Sequence, residues 1–272
     1  MSTTLTDPIS SELRTILRTL TLGKLLDTLP ERITLAKQHH LPHAEFLELV
    51  LADDITRRET TSATRRARTA GLNPHLRLDT WDTTATIRYN QQLWTELTSL
   101  RFLQAPHGAL LLGPVGLGKT HLATALGHIT LRRRHNVPMA RADKLLKRLK
   151  AARLDNTLNT EMRHLAHVQL LILNDFALQP LDATETTDFY ELIVERHRKT
   201  ATVLTSNREP SEWLTMMADP LLTQSAIDRL VSTSHELTIE GDSYRHRQKR
   251  THKTNTTTGV SINHQKGNHH AH

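Results

Sequence analysis

The chain has 272 residues, enough for two domains and a sizeable core, and it has no cysteine, which excludes disulfides and thiolate chemistry and suits a cytoplasmic protein. No apolar run approaches the roughly 20 residues that span a bilayer, and residues 1–10 are polar with no signal-peptide core, so no membrane partner is expected. The net charge of +7 is unevenly spread: residues 1–100 hold 12 basic and 12 acidic side chains, residues 101–244 hold 17 and 16, and residues 245–272 hold 6 basic and none acidic.

Residues 1–103 read as a helical N-terminal domain for DNA or oligomer contacts. Leu13, Ile16, Leu17 and Leu20 recur at helical spacing, as do Phe46, Leu47, Val50 and Leu51, and strand-like alternation is absent. Gly71-Leu72-Asn73-Pro74 is a turn. Arg57, Arg58, Arg65, Arg66 and Arg68 place five arginines within twelve residues against one acid, Glu59. A helix carrying them offers a basic face to phosphates; a solvated helix face is the ordinary alternative.

Residues 104–245 alternate strands and helices, the pattern of a parallel sheet with crossover helices. The apolar run at 109–112 enters Gly113-Pro114-Val115-Gly116-Leu117-Gly118-Lys119-Thr120, and a helix is expected from His121 to about residue 134. Strand, glycine loop and helix together make a phosphate-binding loop. Its glycines let the backbone curl around phosphate oxygens, Lys119 reaches the β- and γ-phosphates, the Thr120 hydroxyl can ligate Mg²⁺, and the helix dipole faces the anion. ATP and Mg²⁺ are the expected cofactors.

Further along, Lys144, Lys147, Arg148, Lys150 and Arg153 form a second basic stripe, opposite a buried face of Leu145, Leu146, Leu149 and Ala152. With aromatic residues at 4%, phosphate-backbone contact is the expected DNA mode, not base stacking. Leu170-Leu171-Ile172-Leu173 is a buried strand ending in Asn174-Asp175, where an acidic tip would hold Mg²⁺ and orient water. Asp182 and Glu185 form a capping box for the helix that follows. A third strand at 202–205 ends in Ser206-Asn207, whose amide could touch a γ-phosphate. Asp228-Arg229-Leu230 lies in a later helix. Residues 246–272 are polar and basic and are expected to be a disordered tail. The histidines at 39, 40 and 43 are expected at the surface, those of the tail are read as incidental, and Trp81, Trp94 and Trp213 as core or interface anchors.

The ordered set of phosphate loop, 170–175 strand, Thr205-Ser206-Asn207, Asp228-Arg229-Leu230 and Gly241-Asp242-Ser243-Tyr244-Arg245 resembles the IstB-like AAA+ ATPases, transposition helper proteins of bacterial insertion sequences related to the DnaC helicase loader. Residues 25–32 and 43–50 are similar to that family's helical domain. The resemblance implies an α/β AAA+ domain of the P-loop class after a helical domain. It implies Asn207 as a sensor, Arg229 as an arginine finger for a neighbouring subunit's nucleotide, and Arg245 as a second sensor. It also implies DNA, a transposase of the same element and further copies of the chain as partners, with a DnaC-type helicase loader as the alternative. The family's acidic pair is here Asn174-Asp175. An amide brings no charge to Mg²⁺, so ATP binding is expected to persist while hydrolysis weakens; a non-hydrolysing ATP-gated scaffold is the third reading.

Overall fold

A computed structural model describes residues 9–81, 87–105 and 107–241. The chain forms two compact units, dividing between Arg68 and Thr69.

The first unit is helical. Helix α1 (Ser11–Thr19) starts where the Ser10 hydroxyl accepts from the Leu13 N–H. Helix α2 (Leu29–His39) has Pro30 in its first turn and stops at His40, in a left-handed conformation. Helix α3 (His43–Thr69) is the longest. Ile9, Leu25, Leu29 and Val50 form the core, with Leu17, Leu22, Leu26, Ile33 and Phe46 packed against it. The expected apolar stripes are helical but only partly buried: Leu13, Ile16, Leu20, Leu47 and Leu51 are exposed. Arg32 grips Asp53 with two hydrogen bonds, 2.6 and 3.0 Å, tying α2 to α3.

The second unit carries a five-stranded parallel sheet of β2 (Gly108–Leu112), β3 (Met139–Arg141), β4 (Leu170–Phe176), β5 (Ala201–Ser206) and β6 (Ser234–Thr238), in the order β3-β4-β5-β2-β6. The helices are α4 (Gln91–Ser99), α5 (Lys119–Arg132), α6 (Ala142–Leu154), α7 (Leu158–His167), α8 (Ala183–Arg196) and α9 (Pro220–Ser232). Strands β2 and β5 are buried throughout, as a sheet covered on both faces requires. The capping box at α8 is present: Glu185 N–H donates to Asp182 Oδ1 at 2.9 Å, and Asp182 N–H donates to Glu185 Oε2 at 3.1 Å.

Two expectations are revised. The stretch before residue 103 contains a strand, β1 (Ile87–Arg88), paired antiparallel with β7 (Glu240–Gly241). Two residues are too few for alternation to reveal. The unit boundary falls near 68, not 103, because residues 70–81 are bonded along the second unit. Met139 N–H donates to Ala70 O at 2.7 Å, His128 Nε2 to Asn73 O at 2.9 Å, and His121 Nε2 to Arg77 O at 2.6 Å. Helical spacing alone cannot say which unit such a segment joins. Arg245 and the tail at 246–272 lie outside the described residues.

Candidate nucleotide site

The phosphate loop runs from the C-terminal end of β2 into α5, at the sheet edge where ligands of open α/β folds bind. Gly113, Gly116 and Gly118 have φ of 137°, 87° and 86°. Gly118 is doubly constrained: a Cβ there would meet the Trp81 ring at 2.6 Å. Trp81 therefore lies directly on the loop, edge-on to His121 with ring centres 5.0 Å apart. Pro114 and Val115 are exposed on the loop, while Leu117 is buried beneath it.

Lys119 is buried, and its ammonium donates to Gly113 O at 2.5 Å and Pro114 O at 2.7 Å. Burial pulls its pKa down from the ordinary lysine value to about 8, opposed by the charge of Asp175. The loop lysine and Asp175 are thus electrostatically coupled at one site. Thr120, in the first turn of α5, is half-buried, and its carbonyl accepts from the Thr124 hydroxyl at 2.6 Å.

At the tip of β4 the two expected metal-site residues diverge. The register of β4 on β5 shifts between Leu173 and Phe176, and Asp175 takes a left-handed φ of 57°. Such a bulge re-aims a side chain, and Asp tolerates the left-handed region better than most residues. Asn174 remains buried within the sheet. Thr205 on β5 links the pair: its hydroxyl donates to Asn174 Oδ1 at 2.9 Å and accepts from the Asp175 N–H at 2.9 Å. Behind them Phe176 stacks on Phe189 and meets Trp213 edge-on, with ring centres 4.5 and 5.0 Å away. Trp213 is fully buried, and its indole N–H donates to Ser206 Oγ at 3.2 Å, so it is a core anchor.

Asn207 follows β5 and is half-buried at the same sheet edge. Arg229 lies elsewhere. It is near the C-terminal end of α9, beside the start of β2 and β6, and lines a recess with Gly108 and Ser234. Its guanidinium donates to Ser225 O at 2.8 Å and to Ser225 Oγ, and lies 5.9 Å from the Tyr190 ring centre. It makes no ion pair with Asp228, which accepts instead from Gln224 at 2.8 Å. Five residues of β2, about 16 Å at 3.3 Å per residue, separate the two sheet edges.

The two basic stripes are partly committed within the protein. Arg57 and Arg58 both pair with the buried carboxylate of Asp54, which their hydrogen bonds hold below the usual carboxylate range. Arg58 also donates to Thr21 O at 2.8 Å, and Arg66 to Ser62 Oγ at 3.0 Å, while Arg65 and Arg68 are exposed. On α6, Leu145, Leu146, Leu149 and Ala152 are buried as expected. Arg148 pairs with Glu161 at 3.3 Å, Lys150 with Asp182 at 2.6 Å, and Arg153 with the fully buried Asp188. Lys144 and Lys147 are exposed; Lys147 lines a cleft with Asp143, Asp175 and Glu185. Asp54 lies within a helix turn of Arg57 and Arg58, whereas the acids that pair with α6 come from distant segments, of which the spacing of basic residues gave no sign.

Sequence reasoning did not single out Thr205 or place Trp81 at the loop. Thr205 was legible as a strand residue and as part of the Thr205-Ser206-Asn207 motif, with no role of its own, and Trp81 is far from the loop in sequence. No described helix is long and apolar enough to cross a membrane.

Among solved structures, the fold is similar to AMPPCP-bound DnaA from Aquifex aeolicus (TM-score 0.53, 21% identity, covering 70% of this chain and 58% of that one). It is also similar to the DnaC helicase loader (TM-score 0.52, 19% identity, 61% and 98%). A protein of Mycobacterium tuberculosis, named as an ATP-binding protein in an insertion sequence, is 37% identical over 238 residues, covering 87% of this chain and 95% of its own. An ATP-binding protein of the insertion sequence IS21, from Pseudomonas aeruginosa, is 31% identical over 239 residues, with 88% and 90% covered. The model of the IstB-like ATP binding proteins matches residues 15–252. With its phosphate loop set on a five-stranded parallel sheet, the chain belongs to the IstB-like ATP binding protein family.

Proposed function

We propose that this protein is the ATP-dependent helper of an insertion-sequence transposase: it binds ATP with Mg²⁺, assembles with further copies of itself on duplex DNA, and assists the transposase at its target. The observation that carries this reading is that near-full-length relatives are named as ATP-binding proteins of insertion sequences. In this reading Lys119 leaves the carbonyls of Gly113 and Pro114 for the β- and γ-phosphates. Thr120 and Asp175 would hold a Mg²⁺ ion, offering it one hydroxyl and one carboxylate, the hard oxygen donors this cation takes. When bound it would supply positive charge against the phosphoryl oxygens. The Asn174 carbonyl oxygen is engaged by Thr205, so Asn174 supports the site by holding the bulge. Asn207 faces the γ-phosphate. Arg229, a strand length from its own loop, serves the nucleotide of a neighbouring copy, and Arg245 acts as a second sensor. Lys144, Lys147 and Arg68 supply DNA-phosphate contacts, joined by Arg57, Arg58, Arg65, Arg66, Arg148 and Lys150 where their internal interactions give way. The cellular site of action is the cytoplasm.

The test compares the unmodified protein with Lys119→Ala and Arg229→Ala in three measurements: ATP binding, ATP-dependent assembly on duplex DNA, and target joining by the transposase of the same element. Lys119→Ala is expected to lose all three. Arg229→Ala is expected to bind ATP but lose target joining, and mixing it with Lys119→Ala subunits should restore some joining. Target joining that is independent of the protein would overturn the helper role. A second reading, an ATP-gated scaffold that does not turn over, draws on the uncharged Asn174-Thr205 pair and predicts assembly without hydrolysis.

A further inference from the structure

We propose a second oxyanion site, distinct from the phosphate loop, in the recess at the N-terminal edge of the sheet, where a phosphate-type anion is held by Ser234, His197 and Arg198. The recess lies between the ends of α8 and α9 and the starts of β2, β5 and β6, and it is lined by Arg196, His197, Arg198, Arg229 and Ser234 with no carboxylate.

The charge of this recess is uncompensated. Arg196 is 1% exposed, yet its guanidinium has only neutral acceptors: Thr202 Oγ1 at 3.0 Å, Val168 O at 3.2 Å, Leu165 O and Ala201 O. Four bonds leave one of its five N–H groups over. Burial drives the Arg196 pKa down to about 9. Buried cations are ordinarily paired, because leaving one without a counter-charge is costly. Arg198 and Arg229 add two further positive charges; burial and then these two charges lower the His197 pKa, opposed by a hydrogen bond to the Arg229 backbone.

The same recess holds unused donors. His197 Nδ1 and Ser234 Oγ are buried and have no hydrogen-bond partner. Gly108 shapes the space, since a Cβ there would collide with the Ser234 hydroxyl. The interior, about 20 Å³, admits one water-sized group. One oxygen of a tetrahedral anion fits it, accepting from Ser234 Oγ–H and from Nδ1–H of a protonated His197, whose other ring nitrogen keeps its hydrogen bond to the Arg229 backbone. The remaining oxygens stay at the mouth, within the reach of Arg198, which is exposed. Arginine forks favour such oxyanions, and a carboxylate would leave donors unused.

The test uses the full chain carrying Lys119→Ala, which removes the cation of the phosphate loop. Inorganic phosphate is titrated at constant ionic strength, read by the unfolding midpoint and by the His197 ring resonance, assigned with His197→Gln. Saturable stabilisation and a moving His197 signal are expected with phosphate and sulfate, not with chloride. Adding Arg198→Ala should weaken phosphate binding about tenfold or more while leaving the anion-free midpoint unchanged, and Ser234→Ala should weaken it less. If ATP displaces phosphate from His197, the site takes nucleotide phosphates; if ATP does not, it takes the free anion. The proposal is overturned if the His197 signal is static, if Arg198→Ala titrates like its parent, or if the response follows ionic strength alone. None of these readouts depends on ATP assembly or on a transposase, so the helper reading can fail while this site stands, and the reverse.

Discussion

Asn174→Asp restores a carboxylate at the tip of β4 in nearly the same volume. Asn174 is 5% exposed, and its Oδ1 accepts from Thr205 Oγ1 at 2.9 Å, a bond that a carboxylate oxygen makes at least as well. The geometry of the bulge should therefore survive. The new charge lies beside Asp175 and is buried, so the free protein should lose about 1–3 kcal/mol and melt lower. With ATP and Mg²⁺ bound, the same charge compensates the metal and phosphoryl groups. Preorganised electrostatic contributions of this kind are worth about 3–4 kcal/mol, or roughly two to three decades in rate. The assay is steady-state ATP hydrolysis on duplex DNA with saturating Mg²⁺, beside a melting curve. A slow unmodified protein, a faster Asn174→Asp and a lower midpoint are expected together. Thr205→Val should lower turnover in either background, because it strips the acceptor from the Asp175 N–H and the donor from Asn174. If Asn174→Asp leaves the rate unchanged while Asp175→Asn abolishes it, Asp175 alone suffices for the metal, a second carboxylate adds nothing, and the reasoning fails. It fails equally if the unmodified protein turns over at the rate of the variant.

Because the Lys119 pKa is lowered to about 8, the free protein holds a charged loop lysine below that pH and loses it above. ATP affinity should be flat from pH 6.5 to about 8 and then weaken by up to about tenfold per unit, while Lys119→Arg binding stays flat; an unchanged dissociation constant at pH 9.5 would count against the buried ammonium. The sign for folding is the reverse: between about pH 8 and 10.5 the unfolded chain binds the extra proton, so this residue's contribution to stability rises with pH across that window. Reversing the charge of Lys144 and Lys147 should weaken DNA binding alike for all sequences and lower its salt dependence, more than reversing Arg148 and Lys150, which are paired with Glu161 and Asp182; a loss confined to one sequence would mean base reading. Arg153→Leu leaves the fully buried Asp188 without its cation and should cost about 3 kcal/mol, or roughly 6–12 °C in melting temperature; an unchanged midpoint would show that the pair is dispensable.

The sequence by itself determined the phosphate loop, the strands at 109–112, 170–173 and 202–205, the capping box at Asp182 and the buried face of α6. These are local or periodic features, set by backbone conformation and by one buried face, so neighbouring residues suffice to specify them. It also carried the family, because five short motifs in order are far more specific than any one. Only the tertiary structure decided where residues 70–81 dock, that Trp81 lies on Gly118, and that Thr205 ties Asn174 to Asp175 across two strands. It alone showed which basic residues are held by acids: Arg57 and Arg58 by Asp54, Lys150 by Asp182, Arg153 by Asp188. Except within a helix turn, each of these depends on residues far apart in the chain, and only packing brings them within hydrogen-bond range. A buried arginine without a counter-ion is a similar case: in the sequence Arg196 is one more basic residue at a helix end, and its environment becomes chemistry only when β5 and the end of α7 close around it.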